Sequence, residues 1–209
     1  MKHEWRKKEK QVYIPKTKPE VIEIPEYNFL TISGKGNPNN PEFADYIGAL
    51  YPICYGIKMG LKKNPILKNY YDYTVYPLEG VWDISDEAKN IYTEKTQLNK
   101  DDLVFTLMIR QPSFVTKEYA LEAIEKAKIK KPNPLFDKVN FEKITEGKCI
   151  QMLHIGSYDN EPETFKIMED YAINNGLERA SKIHREIYLS DFRKVAPEKL
   201  KTVLRFKLK

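Results

Sequence analysis

Two rhythms of apolar residues alternate along this chain, one of period two and one of three to four, and an element ends where one rhythm gives way to the other. Tyr27-Asn28-Phe29-Leu30-Thr31-Ile32-Ser33 follows the first rhythm and reads as a strand closed by Gly34. Asn40 then offers an N-cap and Pro41 a preset first helical residue, after which Phe43, Ile47, Leu50, Cys54, Ile57 and Leu61 recur at helical spacing, with Gly60 near the end. Pro52 removes a backbone donor inside that helix and is expected to kink it. Two β-rich runs follow at 73–82 and 103–111, separated by a polar stretch over 83–102.

The second half repeats this order. A strand over 148–155 is closed by Gly156, and Asn160-Glu161-Pro162-Glu163 starts a helix in which Glu163 can complete a capping box. Phe165, Met168 and Ala172 form its apolar face, Gly176 stops it, and strands follow at 183–189 and 202–208. Seven positions separate strand-ending Gly from helix-starting Pro in the first half and six in the second. One duplication is the economical account, although two unrelated halves would look similar. Between them Thr116 caps an amphipathic connector helix, Lys130-Lys131-Pro132-Asn133-Pro134 breaks it, and 139–145 reads as a short extra strand. The expected fold class is α+β, with duplicated β-α-β-β modules, antiparallel sheets and a connector helix. A basic arm over 1–20 would precede one domain over 21–209, with repeat 1 about 21–111, the connector over 116–130 and repeat 2 about 139–209.

With 209 residues, 41% of them hydrophobic, the chain can bury a sizeable core. No apolar run approaches the roughly 18 residues that span a bilayer, so no membrane is expected. The basic start, Met1 to Lys8, leads into no apolar segment of a secretory signal, which leaves the cytoplasm as the default. Residues 1–18 hold seven Lys and Arg against two Glu, and the rest of the chain balances at 28 against 28. The net charge of +5 therefore belongs to the arm, which is expected to be solvated with Trp5 docked on the body. Only six residues are Arg, the side chain suited to bidentate reading of guanine or phosphate, so no specific nucleic-acid partner is expected. Cys54 and Cys149 form no CxxC, and His3, His154 and His184 have no partners at ligand spacing, so neither a metal nor a cofactor is expected.

Candidate chemistry gathers on His184-Arg185-Glu186-Ile187-Tyr188-Leu189, where alternation puts His184, Glu186 and Tyr188 on one face. A half-solvated sheet face would read the same way. The first half echoes it in Tyr76-Pro77-Leu78-Glu79-Gly80-Val81-Trp82, where Pro77 and Gly80 suggest an edge or bulged strand. Glu79 is either a site carboxylate or a turn cap, and Trp82 either a site ring or core. Tyr51 and Tyr55, one helical turn apart, could form an aromatic wall or pack on the sheet. His154 and Tyr158 stand between pocket lining and a buried structural hydrogen bond. Fourteen Tyr, nine Phe and two Trp with a buried carboxylate make a pocket for flat, apolar or cationic molecules, since ring faces attract cations and the acid supplies the counter-charge.

At these residues the chain resembles the GyrI-like small-molecule-binding superfamily in its stand-alone form. The resemblance is carried by Trp5 to Lys10, Tyr76 to Trp82, His154-Ile155-Gly156-Ser157-Tyr158-Asp159, and His184 to Asp191 followed by Ala196-Pro197-Glu198-Lys199-Leu200. It implies duplicated modules of the SHS2 type with a ligand cleft between the halves, a central acid at Glu186, and an acid and aromatic at Glu79 and Trp82. Asp83 departs from it, standing where a second aromatic is expected. Relatives of this type are similar to hydrolases that open the strained cyclopropane of DNA-alkylating natural products, while others only bind drugs or cationic dyes. The implied catalytic set is Glu186, Glu79 and Tyr188, with Trp82, Tyr51, Tyr55, His184, His154 and Tyr158 binding the ligand. Which carboxylate acts as base stays open, as does the choice between catalysis and binding alone. An inhibitory contact with DNA gyrase rests on analogy only and ranks below both.

Overall fold

A computed structural model of the chain describes residues 2–93 and 98–209. Four of the residues in the polar stretch over 83–102, numbers 94–97, lie outside the described residues, as does Met1 of the arm. Two short helices, α1 (Trp5–Lys8) and α2 (Lys10–Tyr13), precede β1 (Glu20–Lys35), α3 (Pro41–Lys63), β2 (Leu78–Ile84), α4 (Asp86–Lys89) and β3 (Leu103–Gln111). The connector helix α5 (Lys117–Lys130) leads to β4 (Asn140–Ile155), α6 (Glu161–Asn174), β5 (His184–Tyr188) and β6 (Lys201–Lys207). Thr116 caps α5 by accepting from the Tyr119 amide at 3.3 Å. Asn160 and Asn40 make no such side-chain cap, so the capping box expected at α6 does not form.

The strands close into an antiparallel barrel in the order β1-β3-β2-β5-β6-β4. This order is its own mirror across the two halves: β1, β3 and β2 of the first repeat answer β4, β6 and β5 of the second. Strands β2 and β5 meet at one seam and β1 and β4 at the other. The extra strand expected at 139–145 is the first part of β4, which runs on as one 16-residue strand because β1 is equally long and pairs with it from Thr31↔Asn140 to Glu20↔Gln151. The strand expected from residue 73 begins only at Leu78; the segment before it makes one isolated bridge, Tyr73 to His3.

Alternation along each strand sorts the side chains into two compartments. Outside the barrel, Leu30, Ile32, Leu107 and Ile109 meet Leu50, Ile53, Cys54, Ile57 and Leu61 of α3 in one apolar core. Ile150, Met152, Leu204 and Phe206 likewise meet Met168 and Ala172 of α6. Gly34 ends its alternating run where a side chain would strike Phe105 and Tyr46, at 2.6 and 2.8 Å from an added Cβ.

The barrel interior is charged. Glu9, Glu79 and Glu146 face Arg110, Arg185 and Arg205: Arg185 contacts Glu79 at 2.6 Å and Glu146 at 3.1 Å, Arg205 donates to Glu146 at 2.9 Å, and Arg110 to Glu9 at 2.5 Å. Three acids against three guanidinium groups leave the interior without net charge, which burial of ions requires. Burial works against the Glu146 anion, yet Arg185 and Arg205 hold its carboxyl below its ordinary value. Only about 10 Å³ stays free there, between Val12, Tyr13, Tyr27, Phe29 and these charges, room for no more than about one water. The basic arm is thus not the solvated segment its charge suggests. Trp5 is buried as expected and donates to the Val75 carbonyl at 3.0 Å, but Tyr13 is buried as well, and Arg205 donates to the Val12 carbonyl.

Candidate functional site

At the seam between the repeats, Gly80 of β2 stands opposite Glu186 of β5, and Trp82 opposite His184. These residues share the outer face of the barrel, where Phe43 of α3 packs on Trp82 and Phe165 of α6 on His184. The sheet itself makes the grouping: His184, Glu186 and Tyr188 alternate outward on β5, while the two-residue step on β2 brings out Gly80 and Trp82.

The polar groups form one chain. The Trp82 indole donates to the Tyr188 hydroxyl at 2.9 Å, and that hydroxyl donates to Glu186 Oε2 at 2.8 Å. His184 Nε2 lies 3.1 Å from Glu186 Oε1. Glu186 is 9% exposed and Trp82 5%, so a ligand of drug size has to shift rings to reach the acid. Around them Phe43 of α3 packs on Trp82 at 5.7 Å, Tyr158 meets Tyr188 edge-on at 5.9 Å, and Phe165 of α6 meets His184 at 4.7 Å. Burial raises the Tyr188 phenol well above its usual range, and the Glu186 charge adds to this. Burial, with Glu161 and Glu186 nearby, pushes Tyr158 up to about 12. Both phenols are therefore neutral donors at physiological pH.

The structure thus brings together Glu186, Tyr188, His184, Trp82 and Tyr158 from the residues singled out in the sequence. It does not bring Glu79 to them. Glu79 points into the barrel, 2% exposed, in the ion pair with Arg185, because it lies one residue from Gly80 on a strand whose neighbours face opposite ways. His154 serves the structural role: its ring bonds Thr164 Oγ1 at 2.8 Å and the Ser157 carbonyl at 3.0 Å, tying the end of β4 to α6. Tyr51 is half-buried on the flank of α3, its phenol pushed up to about 12 by burial. Tyr55 stacks on it at 6.3 Å but is 52% exposed, so it borders the site at most.

One residue of this cluster carries no signal of chemistry in the sequence. Glu161, first residue of α6, is 5% exposed, with its Oε1 buried and without a hydrogen-bond partner. Burial raises its carboxyl well above the ordinary 4.5, and the charge of Glu186, a hydrogen bond with it, and Asp159 push the same way. In the sequence it reads as a first-turn acid favoured by the helix dipole. Nearby, Lys100 reaches across from the β2–β3 connection to Asp159 at 2.9 Å.

Among the described residues no group of three or more His, Cys, Asp and Glu is placed to hold a metal ion, and no helix is long and apolar enough to cross a membrane.

A duplicated β-α-β-β barrel with an acid under aromatic rings at its seam defines a class of small-molecule-binding folds. Residues 17–209 match the GyrI-like small molecule binding domain, and the chain belongs to that family. An uncharacterized conserved protein from Listeria innocua is 38% identical, with a TM-score of 0.88 over 99% of this chain and 100% of that one. A hydrolase from the same organism is also 38% identical, with a TM-score of 0.88 over all of both chains. The C-terminal domain of EcmrR, 15% identical with a TM-score of 0.52 over 92% of this chain and 97% of that one, shares the fold. No curated protein matches the chain.

Proposed function

We propose that this protein takes up hydrophobic or cationic aromatic molecules at the β2–β5 seam between α3 and α6, and that it hydrolyses electrophilic cyclopropanes there as a defence against DNA-alkylating toxins. The observation that carries this reading is the Glu186 carboxylate, buried beneath aromatic rings and held by the Tyr188 hydroxyl at 2.8 Å. A carboxylate buried among aromatic rings supplies the counter-charge that a cation bound on their faces needs. The resemblance to a Listeria innocua hydrolase supports the catalytic half of the reading.

In this mechanism a water lies between Glu186 and the ring carbon of a cyclopropane conjugated to a carbonyl. Glu186 removes its proton as oxygen attacks, the strained carbon–carbon bond breaks, and its electron pair moves through the conjugated system to the carbonyl oxygen. Such positioned proton transfer contributes about 10²- to 10⁴-fold. Tyr188 orients the base, since its own proton is committed to Glu186. Trp82 and the neighbouring rings exclude bulk water, which strengthens each polar contact. The two cysteines, both free and buried, suit a reducing compartment such as the cytoplasm.

Mass spectrometry after incubation with a spirocyclopropyl cyclohexadienone tests the reading. A gain of one water by the compound, lost in Glu186→Gln, supports hydrolysis. Recovery of the intact compound from a tight complex would replace it with sequestration.

A further inference from the structure

His184 and Glu186 stand two residues apart on one face of β5, and their facing atoms, Nε2 and Oε1, are 3.1 Å apart. The other ring nitrogen decides what this contact is. Nδ1 lies 3.3 Å from the Lys182 carbonyl, which only accepts hydrogen bonds, so Nδ1 carries a hydrogen. Nε2 of a neutral ring is then a bare acceptor. An ionised carboxylate also only accepts, so Glu186 is ionised at this distance only when Nε2 is protonated as well. The acid beneath the rings thus has a resident cation, the doubly protonated imidazole of His184. Tyr188, which donates to the second carboxylate oxygen at 2.8 Å, brings no positive charge.

The other groups around His184 do not hold that proton. Trp82, opposite it on β2, and Phe165 of α6, 4.7 Å away, are uncharged. Behind Phe165, Arg179 lies over that ring at 5.4 Å and donates to the Lys182 carbonyl at 2.8 Å. Arg179 and Lys182 share Glu169 of α6, at 2.6 and 3.0 Å. Two cations against one acid leave positive charge there, which works against a second proton on the ring. Glu186 is therefore what retains it, and a ligand that takes over Glu186 sets it free. Its way out is open, since 23% of the His184 side chain is exposed against 11% of the Glu186 side chain.

We propose that His184 is the resident counter-ion of this site and that a cationic ligand binds by exchange for its proton. This rests on the cation-binding half of the reading above and deepens it, because it makes His184 the residue that discriminates ligands by charge. An aromatic cation over Trp82 or Tyr188 meets the carboxylate that the imidazolium already holds. Two positive charges crowded on one buried acid repel each other more strongly than they would in water. The Nε2 proton passes to solvent, Nδ1 keeps its hydrogen on the Lys182 carbonyl, and the charge of the ligand replaces that of the ring. One cation enters and one proton leaves, so the site stays neutral. A neutral electrophile releases no proton, since the imidazolium remains on Glu186. Cations are therefore held more tightly as pH rises, until the free protein itself has lost the proton.

Isothermal titration calorimetry with tetraphenylphosphonium, an aromatic cation whose charge does not titrate, tests the exchange in buffers of different ionisation enthalpy, because the dependence of the heat on the buffer counts protons. We expect release of about one proton per cation bound, and an affinity that rises about tenfold per pH unit while the free protein holds that proton. His184→Gln keeps a donor toward Glu186 but has no proton to exchange. It should bind the cation without release at the same pH, and its affinity should no longer climb. Nitrogen-15 spectra of the histidines in wild type read the same event without a variant: both His184 nitrogens protonated in the free protein, Nδ1 alone in the complex. Binding without proton release, a ring unchanged in the complex, or equal release from a folded His184→Gln protein would each overturn the exchange while leaving a cation-binding site. A wild-type protein that binds no phosphonium at any pH tested would overturn the cation reading and the exchange with it.

Discussion

Gly80 and Glu186 are directly paired across the β2–β5 seam, and the empty space above Gly80 is where the Trp82 indole and the Tyr188 hydroxyl meet. A Cβ on residue 80 would lie 2.7 Å from Trp82 Nε1 and 3.0 Å from the Tyr188 oxygen. The glycine is therefore part of the site, since it lets two rings close over the acid.

Gly80→Ala should push the indole off the phenol and loosen the hold of Tyr188 on Glu186. Overpacking of this kind costs about 1–3 kcal/mol. We expect a modest loss of stability, a shift in Trp fluorescence and at least a tenfold loss of turnover or ligand affinity, measured together on one preparation.

Glu79 and Glu186 should behave as different kinds of acid. Neutralising Glu79 leaves Arg185 in the barrel with Glu146 only, and breaking a buried ion pair costs roughly 3 kcal/mol or more. Glu79→Gln should lower the urea midpoint clearly, while Glu186→Gln should leave it nearly unchanged and abolish activity. Reversed outcomes would place the chemistry inside the barrel.

Glu161 sets a pH dependence of stability. Its carboxyl lies above the ordinary 4.5 in the fold, so the unfolded chain releases that proton first. The contribution is fully present below the unfolded value and is lost as pH rises through the folded one. Glu161→Gln lacks this loss. Its Tm relative to wild type should therefore climb as pH rises above the ordinary 4.5 and through the folded-state titration, as differential scanning fluorimetry can show.

Trp5 lies ahead of residue 17, where the family match begins, yet it is 3% exposed and packs 5.2 Å from Tyr13. Trp5→Ala should cost about 3–5 kcal/mol in chemical denaturation. A near-neutral result would show that the arm is dispensable to the barrel.

The repeated order of strand, helix and two strands was legible because periodicity and punctuation survive in both halves, from Gly34 and Pro41 to Gly156 and Pro162. Barrel closure was not, since no local pattern says that β2 will pair with β5. The same gap explains the acids. Alternation correctly grouped His184, Glu186 and Tyr188 on one strand, but assigning Glu79 to the same face required the register of β2 against β5. Glu161 was invisible for a different reason: a glutamate at a helix start is ordinary, and only the packing of α6 on the barrel buries it. The interior charges were hidden too, because no local pattern shows that Arg185 and Arg205 will meet Glu79 and Glu146 inside a closed barrel.

The central claim is that the seam between the repeats, over Glu186, is where a small molecule binds. A crystal structure with an aromatic cation or the spirocyclopropyl dienone soaked in tests it most directly. The account predicts the ligand between α3 and α6, stacked on Trp82 or Tyr188 and within hydrogen-bonding or ion-pairing reach of the Glu186 carboxylate. A ligand lodged in the barrel beside Glu79 and Arg185, or on a surface remote from β5, would contradict it.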